Sequence, residues 1–219
     1  MESDGDREVV RQYLVTAAPR TRYEIGQLTL RTEVVDNAQK AVDILAMGGF
    51  AKRWTVLEGL GVAVMPTVDM HLHAERKGWN WESQEVTDGL AARDEDIAAI
   101  GPELVEAYVL GHAVDAEGSD RDPDRPQRML AGHVSRPAPD APLTWSGPAL
   151  PEGFDGAPVF AGLALPENKV KLLCLGVALP APADDGAPSA TAVVAPFDRM
   201  RPAIRALLPS RKRRWWQRG

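Results

Sequence analysis

Cysteine is nearly absent: Cys174 is the only one among 219 residues. A lone cysteine cannot close an internal disulfide, which excludes a disulfide-stapled scaffold. Its setting, Leu172-Leu173-Cys174-Leu175, predicts a buried and inert thiol. Long hydrophobic runs are missing too. No stretch reaches the roughly 18 apolar residues of a membrane-spanning helix. The opening Met1-Glu2-Ser3-Asp4-Gly5-Asp6-Arg7-Glu8 is acidic where a secretion signal is basic and then apolar. A cytoplasmic location is the expectation. Histidine is scarce, with His71, His73, His112 and His133 alone. His71 and His73 alternate with acidic residues in Asp69–Glu75, as metal ligands on one strand face would, but no third His or Cys follows at ligand spacing. Neither a metal nor a cofactor is expected.

Positive charge is sparse in the body and dense at the end. Residues 211–219 carry five positive charges, so the net charge of -6 divides into +5 there and -11 over the preceding 210 residues. An acidic body argues against general nucleic-acid binding, whose affinity comes from neutralising phosphates. The tail, with Arg211, Lys212, Arg213, Arg214, Trp215 and Trp216, is the candidate binding segment for an anionic partner. The alternatives there are a weak contact with an anionic membrane surface or nucleic acid, a protein partner, or a merely solubilising end. With 44% hydrophobic residues the chain has material for a core, so disorder throughout is excluded.

Apolar periodicity predicts the elements. Val9, Val10, Tyr13 and Leu14 are spaced as on a short helix ending before Pro19, Tyr23 to Val35 alternates as a strand, and Asp36 is placed to cap a second helix stopped by Gly48-Gly49. From Trp54 onward, short apolar runs alternate with Gly and Pro, and the segments 54–57, 61–65, 82–86, 97–100, 107–110, 129–134, 143–145, 159–163, 170–178 and 190–194 read as strands. Closely spaced short strands without intervening helices indicate a mainly β barrel or sandwich. Segments 115–127 and 180–188 read as surface loops. Phe197, Met200, Ile204 and Leu207 have the spacing of a closing C-terminal helix. Trp54, Trp79 and Trp81 are expected in the core, with an exposed partner patch as the alternative.

The most specific stretch is Gly153-Phe154-Asp155-Gly156-Ala157-Pro158-Val159-Phe160. It resembles the nucleophile loop of the trypsin-like serine peptidases: Gly, any residue, Ser, Gly, a small residue, Pro and two apolar residues. Asp155 stands in the serine's place. Such a loop aims backbone N–H groups at a developing oxyanion, a role that the resemblance assigns to Gly153 and Asp155. Other segments follow in the family's order. Asp94-Glu95-Asp96-Ile97-Ala98 is similar to the strand opening that carries the catalytic aspartate, which points to Asp96. Ala107 to His112 and Ala131-Gly132-His133-Val134-Ser135 are similar to later strands, and the last strands and helix to the family's ending. Upstream, Gly59-Leu60-Gly61-Val62 matches the glycine pair before the family's histidine, whose place falls to His73, with His71 competing.

The resemblance implies a two-barrel trypsin-like fold with a short N-terminal helical segment and a C-terminal helix. Its divisions are an extension over 1–50, a first barrel over 51–110, a second over 111–197, a helix over 198–208 and the tail over 209–219. It places His73, Asp96 and Asp155 as base, orienting acid and nucleophile. A carboxylate cannot do the serine's work: attack would give an anhydride, and its charge repels the oxyanion. Ser146, Ser135 and Ser83 lack the supporting glycine frame. The implied protein is a catalytically inactive peptidase-fold protein, a pseudo-protease that binds protein or peptide. The alternatives are an active serine-type peptidase with another nucleophile and an unrelated small-β interaction scaffold.

Overall fold

A computed structural model describes residues 12–29, 44–79, 85–112, 127–151, 153–165, 169–179 and 191–207. Its centre is a closed, antiparallel six-stranded barrel. The strands are β6 (Val105–His112), β7 (Gln127–Ser135), β8 (Leu143–Ser146), β9 (Pro158–Leu165), β10 (Lys169–Ala178) and β11 (Thr191–Pro196). Around the barrel they run β10-β11-β8-β7-β6-β9. The part β9-β6-β7-β8 is a Greek key, in which the fourth strand returns to lie beside the first. Alternation dictates the inside: Ala107, Val109, Val134, Leu143, Trp145, Val159 and Ala161 are all fully buried. Two large rings fill the interior because the strands facing them carry glycine. A Cβ on Gly111 would stand 2.6 Å from the Phe154 ring, and one on Gly132 2.6 Å from the Trp145 ring.

The N-terminal part adds two smaller sheets. One is β1 (Tyr13–Ala17), β5 (Val62–Pro66) and β4 (Thr55–Leu57), in the order β1-β5-β4, and the other is the pair β2 (Ile25–Thr29) and β3 (Ile44–Gly48). β5 explains the layering. Its run Val62-Ala63-Val64-Met65 is buried on both faces, as a continuous apolar strand should be. Val62 and Val64 join Leu57, Val177, Ala195 and Met200 in a cluster on the barrel side. Met65 faces the other way, toward Leu45, Met47 and Phe50, with Trp54 and Trp79 packed against them. Both tryptophans therefore pack in the protein as expected; Trp81 lies outside the described residues. The final helix, α4 (Phe197–Ala206), docks through Met200 and Phe197 across the seam between sheet and barrel.

Several local expectations are corrected. Tyr13–Ala17 is a strand instead of a helix, because pairing from Tyr13↔Pro66 to Ala17↔Val62 overrides its helical spacing. Leu45 belongs to β3 instead of a helix, and a short helix α1 (Phe50–Arg53) follows it. Val68–Lys77 forms helix α2, with Asp69 in its first turn and Arg76 and Lys77 in its last, the charge order that a helix dipole favours. Asp94–Ala98 forms helix α3 where a strand is expected. Three acids at its start suit a helix N-terminus, and Ile97 and Ile100, one turn apart, are both buried. Asp36 and the segment 180–188 lie outside the described residues.

Candidate functional site

The 153–158 loop enters β9 from the end of the barrel. Phe154 drops into the core while its neighbour Asp155 turns outward. The amide of Gly156 donates to the carbonyl of Ala178 (2.7 Å), and the amide of Ala178 to the carbonyl of Ala157 (2.8 Å), which ties the loop to the end of β10. Gly156 is at φ 85°, and a Cβ there would lie 2.4 Å from Thr16 Oγ1 and 2.7 Å from the Ala17 nitrogen. Glycine is thus required twice, by the backbone conformation and by the close approach of β1. The amides of Phe154, Gly156 and Ala157 are taken by carbonyls, whereas those of Gly153 and Asp155 meet no acceptor among the described residues.

Asp155 is held by a residue that no local pattern marks. β1 runs into a 3₁₀ turn, Ala18–Thr21, anchored by the Ala18 amide on the Gly61 carbonyl (2.8 Å) and closed by Thr21 Oγ1 on the Ala18 carbonyl (2.9 Å). Arg20 extends from this turn and donates to Asp155 Oδ2 from Nε (3.0 Å) and Nη2 (2.6 Å). The side chains are 35% and 23% exposed, so the pair is partly shielded from water. Arg20 is 135 positions from Asp155, and it follows the unremarkable Ala17-Ala18-Pro19.

The other predicted site residues have different partners. Asp96 accepts from the Arg93 amide (2.9 Å) at the start of α3 and pairs with Lys171 Nζ on β10 (3.3 Å). Partial burial pushes its carboxyl up. The Arg93 amide and the Lys171 ammonium outweigh that and hold it below the ordinary value. His73 lies on α2 with its ring edge-on to Trp79, centroids 5.4 Å apart. His71 Nε2 meets Gln12 Oε1 at 3.0 Å. Two positions apart on a helix is about 200° around the axis, so the two histidines do not share a face as they would on a strand. Among the described residues, no hydrogen bond or ion pair links His73, Asp96 and Asp155 to one another. Gly59 and Gly61 sit in the turn between β4 and β5.

No family model matches the sequence, and no curated protein is significantly similar to it. The chemistry of the site must be read from its own geometry.

Among the alternative serines, Ser146 ends β8 opposite its ladder partner His133 of β7, and no side-chain hydrogen bond joins the two. Ser135 ends β7, and Ser83 lies outside the described residues. No group of three or more His, Cys, Asp or Glu placed to hold a metal occurs among the described residues. None of the helices described is long and apolar enough to cross a membrane. The tail residues Arg211, Lys212, Arg213, Arg214, Trp215 and Trp216 also lie outside the described residues.

Proposed function

We propose that this protein is a catalytically silent relative of the two-barrel, trypsin-like peptidases that serves as a protein- or peptide-binding or regulatory module. The observation that carries the reading is the Arg20–Asp155 ion pair. At the position where an acyl-transfer enzyme needs a neutral nucleophile beside a base, this chain places a carboxylate held by its own guanidinium. Such a pair offers no activated hydroxyl to a carbonyl and no proton donor to a leaving group. The closed Greek-key barrel supports the reading as the counterpart of one of the two barrels, whereas the N-terminal strands form open sheets among the described residues. A binding role suits a loop that is fastened at Gly156 and Ala178 and needs no movement.

A fluorophosphonate probe tests this reading directly, because it labels only activated serines. The native protein should remain unlabelled, and robust labelling would return Ser146 or another serine to candidacy as the nucleophile of an active peptidase. The pair Arg20→Ala with Asp155→Ser restores a hydroxyl to the loop. It should stay unlabelled as well, because His73 is engaged with Trp79 on α2.

A further inference from the structure

A second feature lies at the Gly59–Gly61 turn, at the end of the β1–β5 pairing from which Arg20 also extends. A cleft of about 310 Å³ opens between the Gly59–Gly61 turn, the segment from Arg136 to Leu143 and the first turn of α4. Its walls include Leu60 and Leu179, with Leu143 and Met200 packed behind them, and two arginines line it, Arg199 and the more deeply set Arg136. Arg136 is buried by register. Gly132 and Val134 face inward along β7, and Arg136 is next in that alternation, one residue beyond the strand end, with its amide bound to the Gly101 carbonyl (2.7 Å).

Burying a guanidinium requires acceptors, since its charge is permanent. The Arg136 side chain is only 7% exposed. Its Nε is buried without a partner, and its nearest carboxylate, Asp198 Oδ2, stands 3.9 Å from Nη2, beyond hydrogen-bond reach. Asp198 is drawn toward its own helix by Oδ1, which takes the Arg199 amide at 2.8 Å, and leaves Oδ2 as a distant ion-pair partner of Arg136. No side-chain donor of Arg136 meets an acceptor within hydrogen-bond distance among the described residues. A desolvated cation with unused donors, facing an apolar cleft, is the complement of an amphipathic anion.

We propose that this cleft binds the carboxylate of a small aliphatic group, with Arg136 holding the carboxylate and Leu60 and Leu179 covering the chain. Local charge selects the valence of the anion. Arg136 and Arg199 are balanced by Asp198 and by Asp140 at the exposed rim, so a monoanion is accommodated and a dianion such as phosphate is disfavoured. The size, at the low end of ligand pockets, selects a short chain. Two sources present this chemistry: a free aliphatic acid and the C-terminal residue of a peptide.

Calorimetric titration of the full chain tests the proposal with matched pairs: hexanoate against hexanamide, and acetyl-Ala-Leu with a free C-terminus against its amide. The expected result is that at least one acid binds about tenfold or more tighter than its amide. The pair showing the difference identifies the source. Arg136→Gln should abolish the preference, and Asp140→Asn should strengthen acid binding by relieving repulsion. Equal binding of acid and amide, or no binding of either acid at millimolar concentration, overturns the proposal. Both outcomes are read on the native protein, so the test stands even if Arg136→Gln fails to fold.

Discussion

Single side chains in this protein are governed by what the fold brings beside them. Cys174 is fully buried, its Sγ faces the Gly176 carbonyl at 3.6 Å, and burial pushes the thiol up to about 12. It should resist a disulfide reagent at pH 8 in the native state and react fully in denaturant; rapid native labelling would contradict its burial. Cys174 was legible in the sequence because its neighbours are all apolar. Asp155 was legible as an acid in a glycine loop, but Arg20 was not, since nothing near Arg20 in sequence signals a distant carboxylate. A double-mutant cycle of Arg20→Ala and Asp155→Ala, read by urea unfolding, should give a coupling of about 0.5 to 1 kcal/mol, as expected of a partly exposed pair. Asp96 supplies a pH signature. Its folded value lies below the ordinary 3.8, so its contacts with Arg93 and Lys171 stabilise the protein above about pH 4. That contribution is lost as pH falls through the folded value. The difference in Tm between the native protein and Asp96→Asn should therefore be full at pH 6 and shrink on acidification.

Among elements, β10 and β1 carry the most specific demands. β10 pairs with β9 over most of its length, and its register shifts between Cys174 and Gly176. At that shift the segment Leu90–Ala92 takes its free edge, with the Ala92 amide on the Cys174 carbonyl (2.7 Å) and the Cys174 amide on the Leu90 carbonyl (2.8 Å). β11 crosses so closely that a Cβ on Gly176 would lie 1.9 Å from the Ala195 carbonyl oxygen. Backbone, unlike the end of a flexible side chain, cannot step aside. Gly176→Ala should cost about 3 kcal/mol or more in urea unfolding, and a loss under about 1 kcal/mol would mean that the crossing is looser than described. Strand positions from β6 to β11 were legible as short apolar runs set between Gly, Pro and polar segments, even in β10, which is buried continuously from Leu173 to Ala178 and does not alternate. The short helices α2 and α3 were not. Their runs are too brief for a helical period to stand out, and dipole-ordered charge, the better signal, competes with apolar patterning.

At the scale of the whole molecule, one seam determines whether the barrel and the N-terminal sheets behave as a unit. Leu57, Val62 and Val64 meet Val177, Ala195 and Met200 there, and β1 reaches over the barrel loop at Gly156. Met200→Ala should cost about 2 to 5 kcal/mol while the protein still unfolds in one transition. Tryptophan fluorescence, which reports on Trp54 and Trp79 in one layer and Trp145 in the other, should coincide with far-UV circular dichroism. Two separate transitions would show that the seam does not couple the layers. Composition and alternation alone determined a mainly β body, the succession of barrel strands, the closing helix and the buried thiol, because each depends on the local period of apolar residues and on the count of cysteines. Partners at long range were decided only by tertiary structure. The closure of the barrel, the Arg20 clamp on Asp155, the separate partners of His73 and Asp96, and the burial of Arg136 all join residues far apart in sequence, and no local pattern encodes which strand end will face which turn.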